Sequence, residues 1–237
     1  MKRSPLEGLF TFYSREATKT LSLLFKESNK NIKELIQAAS SYVTEVYKTA
    51  CKLFDIVFLI NIRTLSKLII HTKNPYMPLE IGLSWHPYLN LPYIPAASLK
   101  GCFRSYFELN STRICNLSSN ELFGDDNKKG ILTFFDALPI SFNKSLIEPD
   151  VLAPHYPEIE GIISENRVKP RPLVYPVISL NVNFYTIVAV DFSAYRNKIA
   201  HQNFIKEFKE NLNKVLYLGL GARTSVGYGV VKVNVVN

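Results

Sequence analysis

Cysteine is scarce in this 237-residue chain: Cys51, Cys102 and Cys115 are odd in number and far apart, and no CxxC pair occurs. A disulfide framework is therefore excluded. The four histidines stand at no zinc spacing from the cysteines, so the thiols are expected to be free, in a reducing cytoplasm. Long apolar runs are missing too. The longest, such as Ile56 to Ile60, fall far short of the ~20 residues needed to cross a bilayer. The N-terminus, Met-Lys-Arg-Ser-Pro-Leu-Glu-Gly, leads into a Thr/Ser/Glu-containing stretch and not into an uninterrupted apolar segment. The expectation is a soluble, cytoplasmic protein with no membrane partner.

What is present is the composition of a folded domain, 47% hydrophobic and 20% charged. Lysine and arginine exceed aspartate and glutamate by 28 − 20 = 8. Such an excess favours a polyanionic partner, although a basic surface alone accounts for it equally.

Local periodicity divides the chain into a helical segment over residues 1–52 and a second unit over 53–237. In the first, Ile32, Leu35, Ile36, Ala39, Val43, Val46 and Ala50 recur at helical spacing. From Phe54 the period becomes two, predicting a strand in which Ile56, Phe58, Ile60 and Ile62 share one face. The Pro-rich run from Thr72 to Pro95 reads as loop or short extended pieces. Ser98 is expected to cap a helix to about Leu109, with Leu99, Cys102, Phe103 and Tyr106 inward and Lys100, Arg104 and Glu108 outward. A strand at about Gly130–Leu138 follows. Residues 139–178 hold seven of the thirteen prolines and are expected to be an irregular insertion. A strand from Leu180 to Phe192, a helix from His201 to Leu216 and a last strand around Val231–Val235 complete the pattern. Without the first helical segment and the insertion, the order is strand, helix, strand, strand, helix, strand. That is an α+β class with the ferredoxin-like βαββαβ plan.

Two motifs carry chemistry. Four of the ten glycines crowd into Gly219-Leu-Gly-Ala-Arg-Thr-Ser-Val-Gly-Tyr-Gly229. Glycine permits positive φ and close approach, so such a turn can present amides to an anion. Arg223, Thr224 and Ser225 add a guanidinium and two hydroxyls suited to phosphate oxygens. A helix precedes the turn and a strand follows it, which is the reverse of a dinucleotide fingerprint, and no Walker lysine is present. A C-capping turn is the equal alternative for Gly219 and Gly221. The second motif is Pro92 to Arg104, where Lys100 would lie in the first turn of the helix begun by Ser98, a place that attracts anions. An ordinary capped helix with a solvated lysine explains this motif as well.

"YIPAASLKGCFRSYF" (93–107) and "GLGARTSVGYG" (219–229) resemble the two signatures of the RAMP superfamily of CRISPR proteins. Between them, "GILTFFDALP" (130–139) and "DVLAPHY" (150–156) are similar to the sixth-subunit family of the type III-B Cmr effector complexes. The resemblance covers residues 65–237. Two positions depart from the pattern: Ala96 replaces the usual glycine, and Ile70-His71-Thr72-Lys73 stands where relatives show a glycine-rich turn.

The resemblance implies an RRM-related domain that caps a filament of backbone subunits and has no cofactor. Its implied partners are guide RNA, held near its 3′ part, target RNA, and other Cmr subunits, especially backbone RAMP subunits. The candidate RNA-binding residues are Ser98, Lys100 and Arg104 in the first motif, and Gly219, Gly221, Arg223, Thr224, Ser225 and Gly227 in the second. Arg167 and Lys169 join them from the insertion, where with Arg171 they alternate along an extended run; a solvated charge run reads equally well there.

An endoribonuclease is the alternative class. His71, His86, His155 and His201 are scattered, and His155 in "PHY" is the best placed of them. For a metal-assisted route the resemblance implies an aspartate between the first strand and helix, as in backbone subunits of the family that cut target RNA, but Thr72–Leu99 contains none. Asp125 and Asp126 read as a polar loop. No residue is assigned to catalysis or to a metal, and the expectation is a protein that is not an enzyme. Tyr185 and Tyr228 could stack bases, but an RRM stacking signature is missing.

Overall fold

The computed structural model describes residues 32–70, 83–152, 173–194, 200–217 and 219–236. Arg167, Lys169, Arg171, His71 and His155 lie outside the described residues.

A helix over residues 32–53 (α1) is followed at once by β1, Ile56–Thr64. The two-residue period of β1 sorts its faces: Phe58, Ile60, Ile62 and Thr64 are buried on one, while on the other only Val57 is buried and Arg63 is exposed. A short hairpin of β2 (Trp85–His86) and β3 (Leu91–Pro92) leads into α2, Ala96–Leu109. Then come α3 (Ser119–Phe123), β4 (Leu132–Phe134), β5 (Leu138–Ser141), β6 (Ile147–Leu152), β7 (Leu173–Ile178), β8 (Asn183–Val190), α4 (His201–Tyr217) and β9 (Val231–Val235).

The main sheet runs β4-β8-β1-β9, with β5 also on β8, and every pairing is antiparallel. Ile60 lies opposite Thr186 and Val235, so β1 is central. This order is compatible with the βαββαβ plan. Helices α2 and α4 cover one face through stacked rings: Phe208 of α4 lies 4.5 Å from Phe58 and 6.2 Å from Phe103, and Phe103 lies 5.3 Å from Phe134. The helical stripe expected on α4 is present, with Phe204, Phe208, Leu212 and Val215 all buried. Burying one such ring contributes about 1.5–3 kcal/mol. On α1, Ile32, Ile36, Ala39, Val43 and Ala50 join the same core.

Three expectations need correction. The helix of the first motif starts at Ala96 with Pro95 as its N-cap, so Ser98 sits inside the first turn and its side chain caps nothing. A carboxylate from elsewhere does that work: the Ala96 amide donates to Asp136 Oδ1 at 2.7 Å. The strand expected over Gly130–Leu138 is two pieces on β8, β4 and β5, because the Ala137 amide turns away to pair with Ile94. The insertion is not irregular throughout. Strands β6 and β7 form a separate antiparallel ribbon in which Pro149 faces Pro176, and a two-stranded ribbon has edges that tolerate residues without an N–H.

Candidate nucleic-acid interface

The glycine-rich turn leaves α4 and reaches β9 by folding over the chain that follows β1. Ala222 donates to Ile69 O and Gly229 to Lys67 O, each at 2.8 Å. Gly221 has φ +85°, and a Cβ there would come within 2.2 Å of Ile69 O, so only glycine allows this crossing. Gly219 is also left-handed, and the half-buried Cys102 of α2 donates to its carbonyl at 3.8 Å.

Arg223 carries the geometry that matters most. It adopts φ +62°, ψ +30°, a left-handed conformation uncommon for a non-glycine residue, and opens a 3-10 turn over Thr224–Val226. Among the described residues, the amides of Arg223, Thr224 and Ser225 donate to no other group. Thr224, Ser225 and Gly227 are exposed. Successive amides of this kind in a turn make an anion-binding concavity.

The arginine side chain is held from beneath. Its guanidinium carbon lies 5.2 Å from the Tyr228 ring centroid, and Nη1 donates to the Tyr175 hydroxyl at 3.3 Å. The two tyrosine hydroxyls are 3.1 Å apart, and Tyr228 donates to Asp150 Oδ2. Lys67 Nζ approaches the same carboxylate at 3.1 Å and Glu148 at 3.9 Å. Burial works to raise the Asp150 pKa, but the Tyr228 hydroxyl, the Val151 amide and Lys67 together outweigh it and hold the carboxyl below its usual range. Tyr228 moves the other way: burial first, then the bond to Asp150, pushes its hydroxyl well above the ordinary tyrosine value.

Thus Gly219, Gly221, Arg223, Thr224, Ser225 and Gly227 form one turn, while the residues of the first motif divide. On α2, Leu99, Phe103 and Phe107 are buried, and Ser98 and Cys102 form the stripe on the flank that meets Gly219. Lys100 and Arg104, one turn apart, lie on the opposite flank and line an open cleft with the 124–130 loop. Arg104 is engaged there, with Nε 2.7 Å from Glu108 and Nη1 donating to Gly124 O at 3.1 Å. At the helix start, the Asp136 carboxylate and the Ser98 and Leu99 bonds to Pro95 O occupy amides that a phosphate would want. Sequence reasoning missed Lys67, Asp150 and Tyr175. Only Asp150 lay in a segment already singled out, the family-like stretch that it opens; no signal pointed to Lys67 or Tyr175.

The other chemistry stays scattered. His86 accepts from the Leu89 amide and His201 stacks on Phe192. Asp125 accepts from the Asn127 and Lys128 amides, in keeping with a polar loop. The three cysteines are free, and burial raises the Cys102 and Cys115 thiols. Among the described residues no group of side chains could hold a metal ion, and no helix is long and apolar enough to cross a membrane.

Comparison with known proteins places this turn in context. The chain is 29% identical over 233 residues to the CRISPR system CMR subunit Cmr6 of Saccharolobus solfataricus, spanning 98% of this chain and 75% of that one. It is 32% identical over 114 residues to the Cmr6 subunit of Pyrococcus furiosus, a match that covers 46% of this chain and 32% of its relative. Its structure superposes with a TM-score of 0.73 on a chain of the type III-B Cmr-beta bound to cognate target RNA, at 26% identity over 99% of this chain and 75% of the other. The RAMP superfamily model matches residues 61–232, from the middle of β1 into β9. A match that takes in most of the main sheet and both motifs shows that the chain belongs to the RAMP superfamily.

Proposed function

We propose that the chain is a non-catalytic RNA-binding subunit of a type III-B CRISPR (Cmr) complex, an RNA-guided, RNA-targeting assembly of antiviral defence. In this reading the antiparallel sheet with α2 and α4 is a ferredoxin-like, RRM-related domain. It holds guide RNA near its 3′ part, places target RNA beside it, and caps the filament of backbone RAMP subunits in the cytoplasm. The observation that carries the reading is the exposed turn at Arg223, with its left-handed backbone and three successive unpartnered amides among the described residues. The net charge of +8 and the similarity to Cmr6 subunits support it.

Binding through backbone phosphates has a measurable signature. Affinity for single-stranded RNA falls with salt by ~0.7 log units per log unit of salt for each phosphate neutralised, with little sequence preference. A salt-independent affinity, or strong preference for one short sequence, contradicts the proposal. The assembly is tested by purifying the protein from its host and sequencing the RNA that accompanies it. Guide RNAs with a uniform 5′ repeat sequence, together with sibling subunits, are the expected result. Random cellular RNA without siblings overturns it.

A further inference from the structure

The flank of α2 that turns away from the glycine-rich turn borders an open cleft of about 670 Å³. That is within the ~300–1,000 Å³ range of small-ligand sites. Its lining includes Phe134, whose half-buried ring also packs 5.3 Å from Phe103 and 6.2 Å from Phe123, together with Lys100, Arg104, Lys129 and Thr133. Lys100 and Lys129 form no ion pair among the described residues. Of the two carboxylates that line the cleft, Asp125 already accepts from two amides of its own loop, and the exposed Asp126 is outnumbered by Lys100, Lys128 and Lys129. Gly124 and Gly130 fix the loop against α3: a Cβ on Gly130 would meet Gly124 N at 2.3 Å, so Lys129 is displayed from a tight frame.

From this geometry we infer that the cleft is a second nucleotide site, taking a phosphate against Lys100 and Lys129 and a base against Phe134. It deepens the RNA-binding reading and rests on it. Aromatic stacking beside cations is how proteins grip single-stranded nucleic acid without reading its sequence. The position supports a strand that crosses the domain. Strand β4, next to the cleft, and β9, after the glycine-rich turn, are opposite edges of the β4-β8-β1-β9 sheet. Three inter-strand spacings separate them, ~14 Å at ~4.8 Å each. The ligand is a phosphate-bearing nucleotide, supplied either by the RNA strand or by a free nucleotide.

The test uses the full chain, a 12-nucleotide single-stranded RNA, adenosine 5′-monophosphate as the small probe, and two variants: Lys100→Ala/Lys129→Ala and Arg223→Ala. At 0.1 M salt, removing one lysine–phosphate interaction lowers RNA affinity by ~0.7 log units, so the double variant binds RNA ~25-fold more weakly and its salt slope drops by ~1.4. This weakening adds to that of Arg223→Ala, because the sites share no partner. Nuclear magnetic resonance shifts from the monophosphate fall on the cleft in the wild type, survive Arg223→Ala and vanish in the double variant. Monophosphate binding with unchanged RNA affinity assigns the cleft to free nucleotides. If only Arg223→Ala weakens RNA binding and no monophosphate binds, the cleft site is wrong and the glycine-rich turn stands. If neither variant alters RNA affinity and no monophosphate binds, the cleft site is wrong; if the wild type binds no RNA, the RNA-binding reading fails as well, and the monophosphate arm alone decides the cleft.

Discussion

The hydroxyl of Tyr228 donates to Asp150 Oδ2 across 78 residues of sequence, tying the glycine-rich turn to the β6–β7 ribbon. The same ring lies under the Arg223 guanidinium, so one tyrosine links the insertion to the residue that we propose contacts RNA. The link has consequences for stability, for pH dependence and for binding.

Tyr228→Phe keeps the ring beneath Arg223 and removes the bond to a charged group, which costs about 1.5–3 kcal/mol. It also changes the acid limb. Asp150 is held below its usual pKa, so it stabilises the fold above the ordinary carboxylate range, and that contribution is lost as pH falls through its lowered value. Below about pH 4 the wild type therefore loses stability more steeply than the variant. Denaturant unfolding at stepped pH measures the two slopes, and parallel curves would show that Asp150 is not held by this tyrosine.

Gly221 and Gly227 share the left-handed region at φ +85° and +89°, but a Cβ on Gly221 strikes Ile69 O while one on Gly227 meets nothing within 4 Å. Gly227→Ala should thus cost only the backbone preference, about 1 kcal/mol. Gly221→Ala adds a backbone collision and should cost at least 2–3 times as much, roughly 2–3 kcal/mol. Equal destabilisation of the two in thermal unfolding would mean that the chain crossing at Ile69 is not fixed.

The features legible in the sequence were the periodic ones. The α4 stripe and the alternation of β1 are local repeats, and a repeat survives whatever packs against it. Ser98 failed as a cap because the helix already begins at Ala96, whose amide is taken by Asp136 from a distant part of the chain. The ribbon of β6 and β7 hid behind its prolines, since a proline run reads as loop unless the pairing partner is known. In the site, glycine density located the turn, but nothing local joined Lys67, Asp150 and Tyr175 to it. The separation of Lys100 and Arg104 from the turn is different. Lys100 and Cys102 are two residues apart on a helix, about 200° around its axis, so both could never have faced Gly219.

We predict that the isolated protein cleaves no RNA, with Mg²⁺ or without it. His86 is engaged with the Leu89 amide, His201 lies on Phe192, and no aspartate occurs between Thr72 and Leu99. Incubation with end-labelled single-stranded RNA, followed by gel analysis, checks this. Cutting that disappears in His155→Ala would move the protein to the nuclease class.

In the proposed reading Arg223 serves both folding and binding, and two substitutions separate the roles. Its left-handed backbone costs a non-glycine residue about 1–2 kcal/mol. Its stack on Tyr228 returns about 0.5–1 kcal/mol. Arg223→Ala keeps the strain and removes the stack, so it should be mildly destabilised, by about 0.5–2 kcal/mol including the Tyr175 bond. Arg223→Gly relieves the strain while giving up the same two interactions, so its stability should stay within about 1 kcal/mol of the wild type. Both remove the guanidinium, and both should therefore bind RNA more weakly to a similar extent, by about 1.5–3 kcal/mol. Denaturant unfolding and fluorescence anisotropy with labelled RNA give the two quantities on the same samples. The informative case is the glycine variant. If it is as stable as the wild type and binds RNA as tightly, the guanidinium is a structural prop for Tyr228 and the turn holds RNA through its backbone amides alone.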